Sequence, residues 1–220
     1  MKALPKILLI IIFIFLIYIS SNLLLTNTSA NDFYGSFLPS EENYQNLNKN
    51  SSELIGPTAE KSFQEFSEDT IDPLGFYLRI DKIKFFKRII KDVDPRYEEI
   101  YRKSWEYGVS HGKFTSTPDK IGITYLFAHA VSNKSTALDA NAWFTYLDQL
   151  AIGDEIIVYF QGKKYFYEVS EIFPVSPSAT GFYTGASSIA KVRLQYCGPP
   201  TGSLKSRTLV DAVQTKVINI

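Results

Sequence analysis

Val192-Arg-Leu-Gln-Tyr-Cys197-Gly-Pro-Pro-Thr-Gly-Ser-Leu-Lys-Ser-Arg207-Thr-Leu-Val210 reads as strand, turn, strand. Apolar residues alternate as far as Cys197, a Pro/Gly turn follows, and Arg207 opens the next apolar segment. If the two strands are antiparallel neighbours, Arg207 returns close to Cys197. Cys197 is the only cysteine of the chain. It cannot form an intramolecular disulfide, so it is either a small buried hydrophobe or a nucleophile. A strand end holds a side chain rigidly while leaving it accessible. A thiol with an ordinary pKa of about 8.5 needs a cation beside it to populate thiolate. Arg207 is one such cation. Arg193 is a second, because strand alternation puts it on the face of Gln195 and Cys197, although a surface ladder position suits it equally.

A nucleophilic thiol needs a proton partner, and the chain has two histidines. His129 ends the apolar run Ile121-Gly-Ile-Thr-Tyr-Leu-Phe-Ala128, a buried strand. It can share a proton with a thiol or donate one to a leaving group; a histidine satisfied in the core by a backbone carbonyl is the competing reading. His111, in Gly108-Val-Ser-His-Gly112, is the rival, with a structural or rim role expected in a Gly-flanked loop. Tyr77–Ile80, Lys82–Ile90, the hairpin Glu155–Phe160/Tyr165–Glu171, Lys191–Tyr196 and Thr208–Val213 supply further strands. Arg96–Tyr107 and Ala140–Gln149 read as helices, the second with Trp143, Phe144 and Leu147 facing inward, and Pro174 to Ala190 reads as a long loop. Many short strands and few helices predict a mainly β fold closed into a barrel.

Composition narrows the function. With 23 basic and 23 acidic residues the chain has no formal net charge, which argues against a general nucleic-acid binder. One cysteine and two well-separated histidines make no zinc site. No phosphate-cradling or dinucleotide fingerprint occurs, and no cofactor is called for. Asp92, Asp94, Glu98 and Glu99 cluster around a helix start; calcium is conceivable there, and acids favoured by the helix dipole are the simpler reading.

Lys2 and Lys6 precede an apolar run from Ile7 to Leu25. About twenty apolar residues span a bilayer as a helix, and the leading positive charge places the remainder outside. Residues 1–25 are therefore read as a single-pass N-terminal membrane anchor. A cleaved signal peptide ending near Thr28-Ser-Ala30 is the alternative. Residues 26–75, rich in Asn, Ser, Glu and Gln, read as a polar stem with a short helix near Ala59–Phe66. Residues 76–220 make one domain. An export address with an unpaired cysteine favours a chemical role for the thiol.

The order and flanks of these segments resemble the sortases, the cysteine transpeptidases of bacterial cell surfaces. Tyr125-Leu-Phe-Ala-His129 is similar to the family's strand ending in histidine, Val192–Cys197 to its L-T-L-x-T-C strand, and Arg207-Thr-Leu-Val-Asp-Ala212 to its Arg-initiated last strand. Leu147-Asp-Gln-Leu-Ala-Ile-Gly-Asp-Glu-Ile resembles its L-x-x-L-x-x-G-D-x-I segment, and Gly108-Val-Ser-His111 its G-V-x-H loop. The chain departs from the pattern at Tyr196, where Thr is usual, and at Asp211, in a stretch that is usually apolar.

The resemblance implies a closed eight-stranded β-barrel of the sortase type with a few short helices. It also implies three roles. Cys197 attacks the carbonyl of an LPXTG-like sorting signal and forms a thioacyl-enzyme, His129 protonates the leaving amine and deprotonates the incoming one, and Arg207 holds the substrate and its oxyanion. The implied partners are exported proteins with a C-terminal sorting signal and an amine on cell-wall peptide or another surface protein. The implied location is the bacterial cell membrane with the catalytic domain outside. Tyr196, Phe182 and Tyr183 are candidate substrate contacts. The short C-terminus looks most like class D/E-type enzymes. A thiol hydrolase and a non-catalytic surface-binding module on the same fold are the alternatives.

Overall fold

The order β1-β2-β3-β4-β7-β8-β6-β5 closes on itself through β5 and β1, and so defines the barrel. It is seen in a computed structural model that describes residues 62–64, 66–179, 181 and 186–220. The strands are β1 (Phe76–Ile80), β2 (Phe85–Val93), β3 (Val109–Gly112), β4 (Gly122–Phe127), β5 (Glu155–Phe160), β6 (Lys163–Val175), β7 (Ala190–Cys197) and β8 (Arg207–Asn219). The β2–β3 and β4–β7 pairs are parallel; the rest are antiparallel. One α-helix, α1 (Glu98–Ser104), crosses between β2 and β3.

Alternation sets the inside and the outside. Val192, Leu194 and Tyr196 of β7 and Val210 and Ala212 of β8 enter the barrel core with Leu78, Ile80, Phe85, Leu126, Ile156 and Val158. The intervening residues of β7, Arg193, Gln195 and Cys197, fall on the outer face. There Ile123, Tyr125 and Phe127 of β4 form a second apolar layer, covered by Ile100, Tyr101 and Trp105 of the α1 segment. The helix is amphipathic in the ordinary sense, with Glu98 and Arg102 bonded on its solvent side (2.6 Å). β4 is thus buried on both faces from Ile123 to Phe127.

Several expectations change. Residues 140–149 are not a helix. Asn141 takes φ 50°, and Phe144 N–H leaves for the carbonyl of His129 (2.9 Å), so only a 3₁₀ turn at Leu147–Gln149 remains. Trp143, Phe144 and Leu147 are buried nonetheless. His111 lies in strand β3 rather than in a loop. Residues 81–83 form a 3₁₀ turn ahead of β2, and β6 runs on through Pro174 to Val175.

The compact unit containing the barrel begins at Ala59, ahead of the Phe76 boundary read from composition. In the described part of the stem, Gln64 bridges to Phe86. Phe66 packs on Tyr77 and Phe86, and Glu68 binds Arg79, Tyr159 and Lys164. That segment lies against β1, β2 and β5. Among the described residues no helix is long and apolar enough to cross a membrane; the run 7–25, and the remaining residues up to 61, lie outside them.

Candidate active site

Cys197 and Arg207 are direct cross-strand partners in the β7–β8 ladder. Directly opposed antiparallel residues have Cα atoms about 4.5–5.5 Å apart, so the turn between them returns the guanidinium to the thiol's side. The turn is tied down internally. Gly202 N–H donates to Cys197 C=O (2.8 Å), Gly198 N–H to Ser206 C=O (3.2 Å) and the Thr208 hydroxyl to Gly198 C=O (2.9 Å). Arg207 Nη1 donates to the carbonyls of Ser206 (3.1 Å) and Leu204 (3.4 Å), which fixes the start of its strand.

His129 reaches the same place by a different route. β4 and β7 run parallel with Phe127 opposite Gln195. The ladder ends at that pair; His129 lies two residues beyond it on one strand and Cys197 two residues beyond it on the other. Alternation from Tyr125 and Phe127 puts the imidazole on the outer face, with the thiol. Its backbone is held by the Phe144 N–H bond, and its ring lies flat against the Trp105 indole (5.7 Å between centroids, 10° between planes).

The electrostatics describe a neutral resting pair. Burial pushes the Cys197 thiol up, against the opposing pull of Arg207 and Arg102. Burial, helped by the charge of Arg102, pushes His129 down. A protonated thiol beside a neutral imidazole is therefore the stable form. Among the described residues neither the thiol nor the imidazole makes a hydrogen bond to another side chain, and the groups stand at one strand end without bonding to each other. The thiol thus ends β7, the guanidinium opens β8 beside it, and the imidazole follows two residues after the end of β4.

The other candidates are placed differently. Arg193 is committed to Asp211 through two bonds, Nε to Oδ1 (2.6 Å) and Nη2 to Oδ2 (2.7 Å), four pairs along the ladder from Cys197–Arg207. This pair accounts for the unusual acid in β8. His111 is fully buried and accepts the Asp92 N–H at Nδ1 (3.3 Å), which puts its own proton on Nε2, against the Ser116 carbonyl (3.1 Å). Burial holds it neutral, against the pull of Asp92. It is a structural group. Tyr196 points into the core, on the opposite face of β7 from the thiol. Phe182 and Tyr183 lie outside the described residues. Of the acidic group, Asp94 is bonded to Arg96 (2.9 Å) and Glu98 to Arg102; among the described residues no cluster of three or more His, Cys, Asp or Glu side chains could hold a metal.

Three residues of α1 and its end, Tyr101, Arg102 and Trp105, join the site without having been singled out in the sequence. Burial chiefly pushes the Tyr101 hydroxyl up while Arg207 pulls against it, and Arg102 acts on both Cys197 and His129. Their only signal was the i, i+4 spacing of Tyr101 and Trp105, which reads as an ordinary packing stripe.

A family model for the sortase domain matches residues 78–215. The chain belongs to the sortase family. It is a cysteine transpeptidase by that membership. Sortase C-1 from Actinomyces oris is similar in structure (TM-score 0.52) at 27% identity, over 68% of this chain and 77% of that one. A Clostridium perfringens sortase D5 transpeptidase matches over 84% of this chain and 95% of that one (21% identity, TM-score 0.52). Listeria monocytogenes sortase A matches over 68% and 92% (15% identity, TM-score 0.54). The last two likenesses show the fold alone. No curated protein matches the chain.

Proposed function

We propose that this sortase is a membrane-anchored enzyme that cleaves an LPXTG-like sorting signal and transfers the new acyl end to an amine on cell-wall peptide or another surface protein. The observation that carries the reading is the Cys197–Arg207 cross-strand pair, with His129 two residues past the end of the parallel β4–β7 ladder. On substrate binding, Cys197 passes its proton to His129 and its sulfur attacks the scissile carbonyl. Arg207 stabilises the oxyanion of the tetrahedral intermediate. The imidazolium then protonates the leaving amine, the C–N bond breaks and a thioester remains. An incoming amine loses its proton to His129, attacks the thioester and releases the thiol. A thiol and imidazole that rest neutral do not prevent this, because a small reactive fraction turns over.

The apolar run 7–25 is the proposed anchor, with the barrel outside the cell. Phe182 and Tyr183, which precede β7 in the sequence, are the proposed peptide contacts. The test is to incubate the full chain in detergent with a Leu-Pro-Glu-Thr-Gly peptide, with and without triglycine, and identify products by mass. Amine-joined product, and a thioacyl adduct that vanishes in Cys197→Ala, are expected. Hydrolysis product alone, whatever the amine concentration, makes the enzyme a thiol hydrolase; an adduct persisting in Cys197→Ala removes the nucleophile assignment.

A further inference from the structure

The imidazole of His129 has to be aimed. The χ2 torsion of histidine is broad rather than sharply staggered, and catalytic groups need their orientation held within about 10–20°. Among the described residues no hydrogen bond fixes this ring. What touches it face to face is Trp105, parallel within 10° at 5.7 Å. The indole is itself locked from several sides. Its Nε1–H donates to Phe127 C=O (3.4 Å), two residues before His129, and its own carbonyl accepts Trp143 Nε1–H (2.7 Å). Tyr101 lies against it at 4.8 Å, and the Trp105 N–H donates to Tyr101 C=O (3.2 Å). The indole therefore cannot turn without breaking contacts to β4 and to α1, and the Trp143 bond holds the backbone that carries it.

We propose that Trp105 is the positioning residue of His129, a fixed plate that sets the imidazole plane at the end of β4 for proton exchange with Cys197. The inference rests on the reading of His129 as the acid–base group. The indole also covers one face of the ring, and so adds to the burial that favours neutral imidazole. The charged and titratable groups around the ring are Arg102 and Tyr101 of α1, Cys197 of β7 and Arg207 of β8. None of them replaces a flat surface.

The test compares Trp105→Leu and Trp105→Phe in the full chain, using a fluorogenic Leu-Pro-Glu-Thr-Gly peptide with triglycine as acceptor. Rates are normalised to Cys197 titrated by a thiol-reactive peptide, so that unfolded protein does not count. Trp105→Leu should lower kcat about tenfold or more with KM changed less than about twofold, because orientation acts at the chemical step. The same variant should move the His129 titration, followed by NMR and assigned with His129→Asn, upward toward the free value of about 6.5. Trp105→Phe keeps an aromatic ring on the imidazole while losing the fused second ring and the indole N–H, and should stay within about threefold of wild type. Equal kcat per titrated thiol in both variants, with an unmoved His129 titration, overturns the proposal and leaves the function standing. Unchanged turnover in His129→Asn overturns the reading beneath it instead.

Discussion

Asp211→Ala removes the carboxylate that holds Arg193 on the outer face of β7. The aspartate side chain is 2% exposed and the arginine side chain 12%, and the two are joined by a fork of two short bonds. Lys191 adds a weaker contact at 3.8 Å. Breaking a buried pair by removing one partner costs about 3–5 kcal/mol, because the other charge stays buried without its partner. Arg193 is not wholly enclosed and keeps the Phe173 ring beneath it at 5.7 Å. The lower end of the range applies, about 3 kcal/mol. At about 2–4 °C per kcal/mol for a domain of this size, Tm should fall by about 6–12 °C. Urea unfolding at pH 7.5 measures the loss, and Arg193→Met/Asp211→Leu is the essential comparison. Replacing both charges with apolar groups of similar size is often close to neutral, so the double variant should be more stable than Asp211→Ala. A loss below about 1 kcal/mol in Asp211→Ala, or a double variant no more stable than the single one, would refute the view that this pair clamps β7 to β8.

Two further outcomes follow from the same geometry. Gly202 has φ 82°, and a Cβ there would lie 2.3 Å from Ser132 N and 2.7 Å from the Val131 carbonyl carbon. Gly202→Ala should cost about 2 kcal/mol or more, from the left-handed backbone and the clash together. It should also lower peptide cleavage at temperatures where the protein is folded, because the turn must retreat from the segment that follows His129; wild-type cleavage in a folded variant would show that the turn's position is not needed. The second concerns acid. Both histidines are held below their free pKa, chiefly by burial. Folding therefore favours their neutral forms, and the stability they contribute is complete above about pH 6.5 and is lost as pH falls through the depressed folded values. Tm should drop between pH 7.5 and 5.5, ahead of the range where the lowered carboxylates Glu68, Asp94 and Asp154 protonate. A flat Tm over that window would count against the burial of the His111 ring.

The strands were legible wherever local pattern and tertiary role agreed. Val192–Cys197 alternates because one face fills the barrel, and the Cys–turn–Arg spacing gave the cross-strand pair directly. Val109–Gly112 was missed because three residues between two glycines carry no period. The helix expected at 140–149 had a good apolar pattern, but its backbone bonds were claimed by Ala137 and His129. Composition alone gives Phe66 and Glu68 no role, since their contacts are the rings of Tyr77 and Phe86 and the charges of Arg79 and Lys164, far along the chain or on the barrel wall.

By itself the sequence determined the chemistry on offer. A lone thiol at a strand end, an arginine opening the next strand and a histidine ending an earlier one are covalent facts of order and alternation. Only the tertiary structure decided which groups share a surface. The parallel β4–β7 pairing set the strand that leads to His129 beside the strand that ends in Cys197, Asp211 claimed Arg193, Ser116 and Asp92 enclosed His111, and α1 laid Trp105 on the imidazole. Those outcomes depend on which strands become neighbours when the barrel closes, and a strand's own alternation fixes its two faces but not its partner.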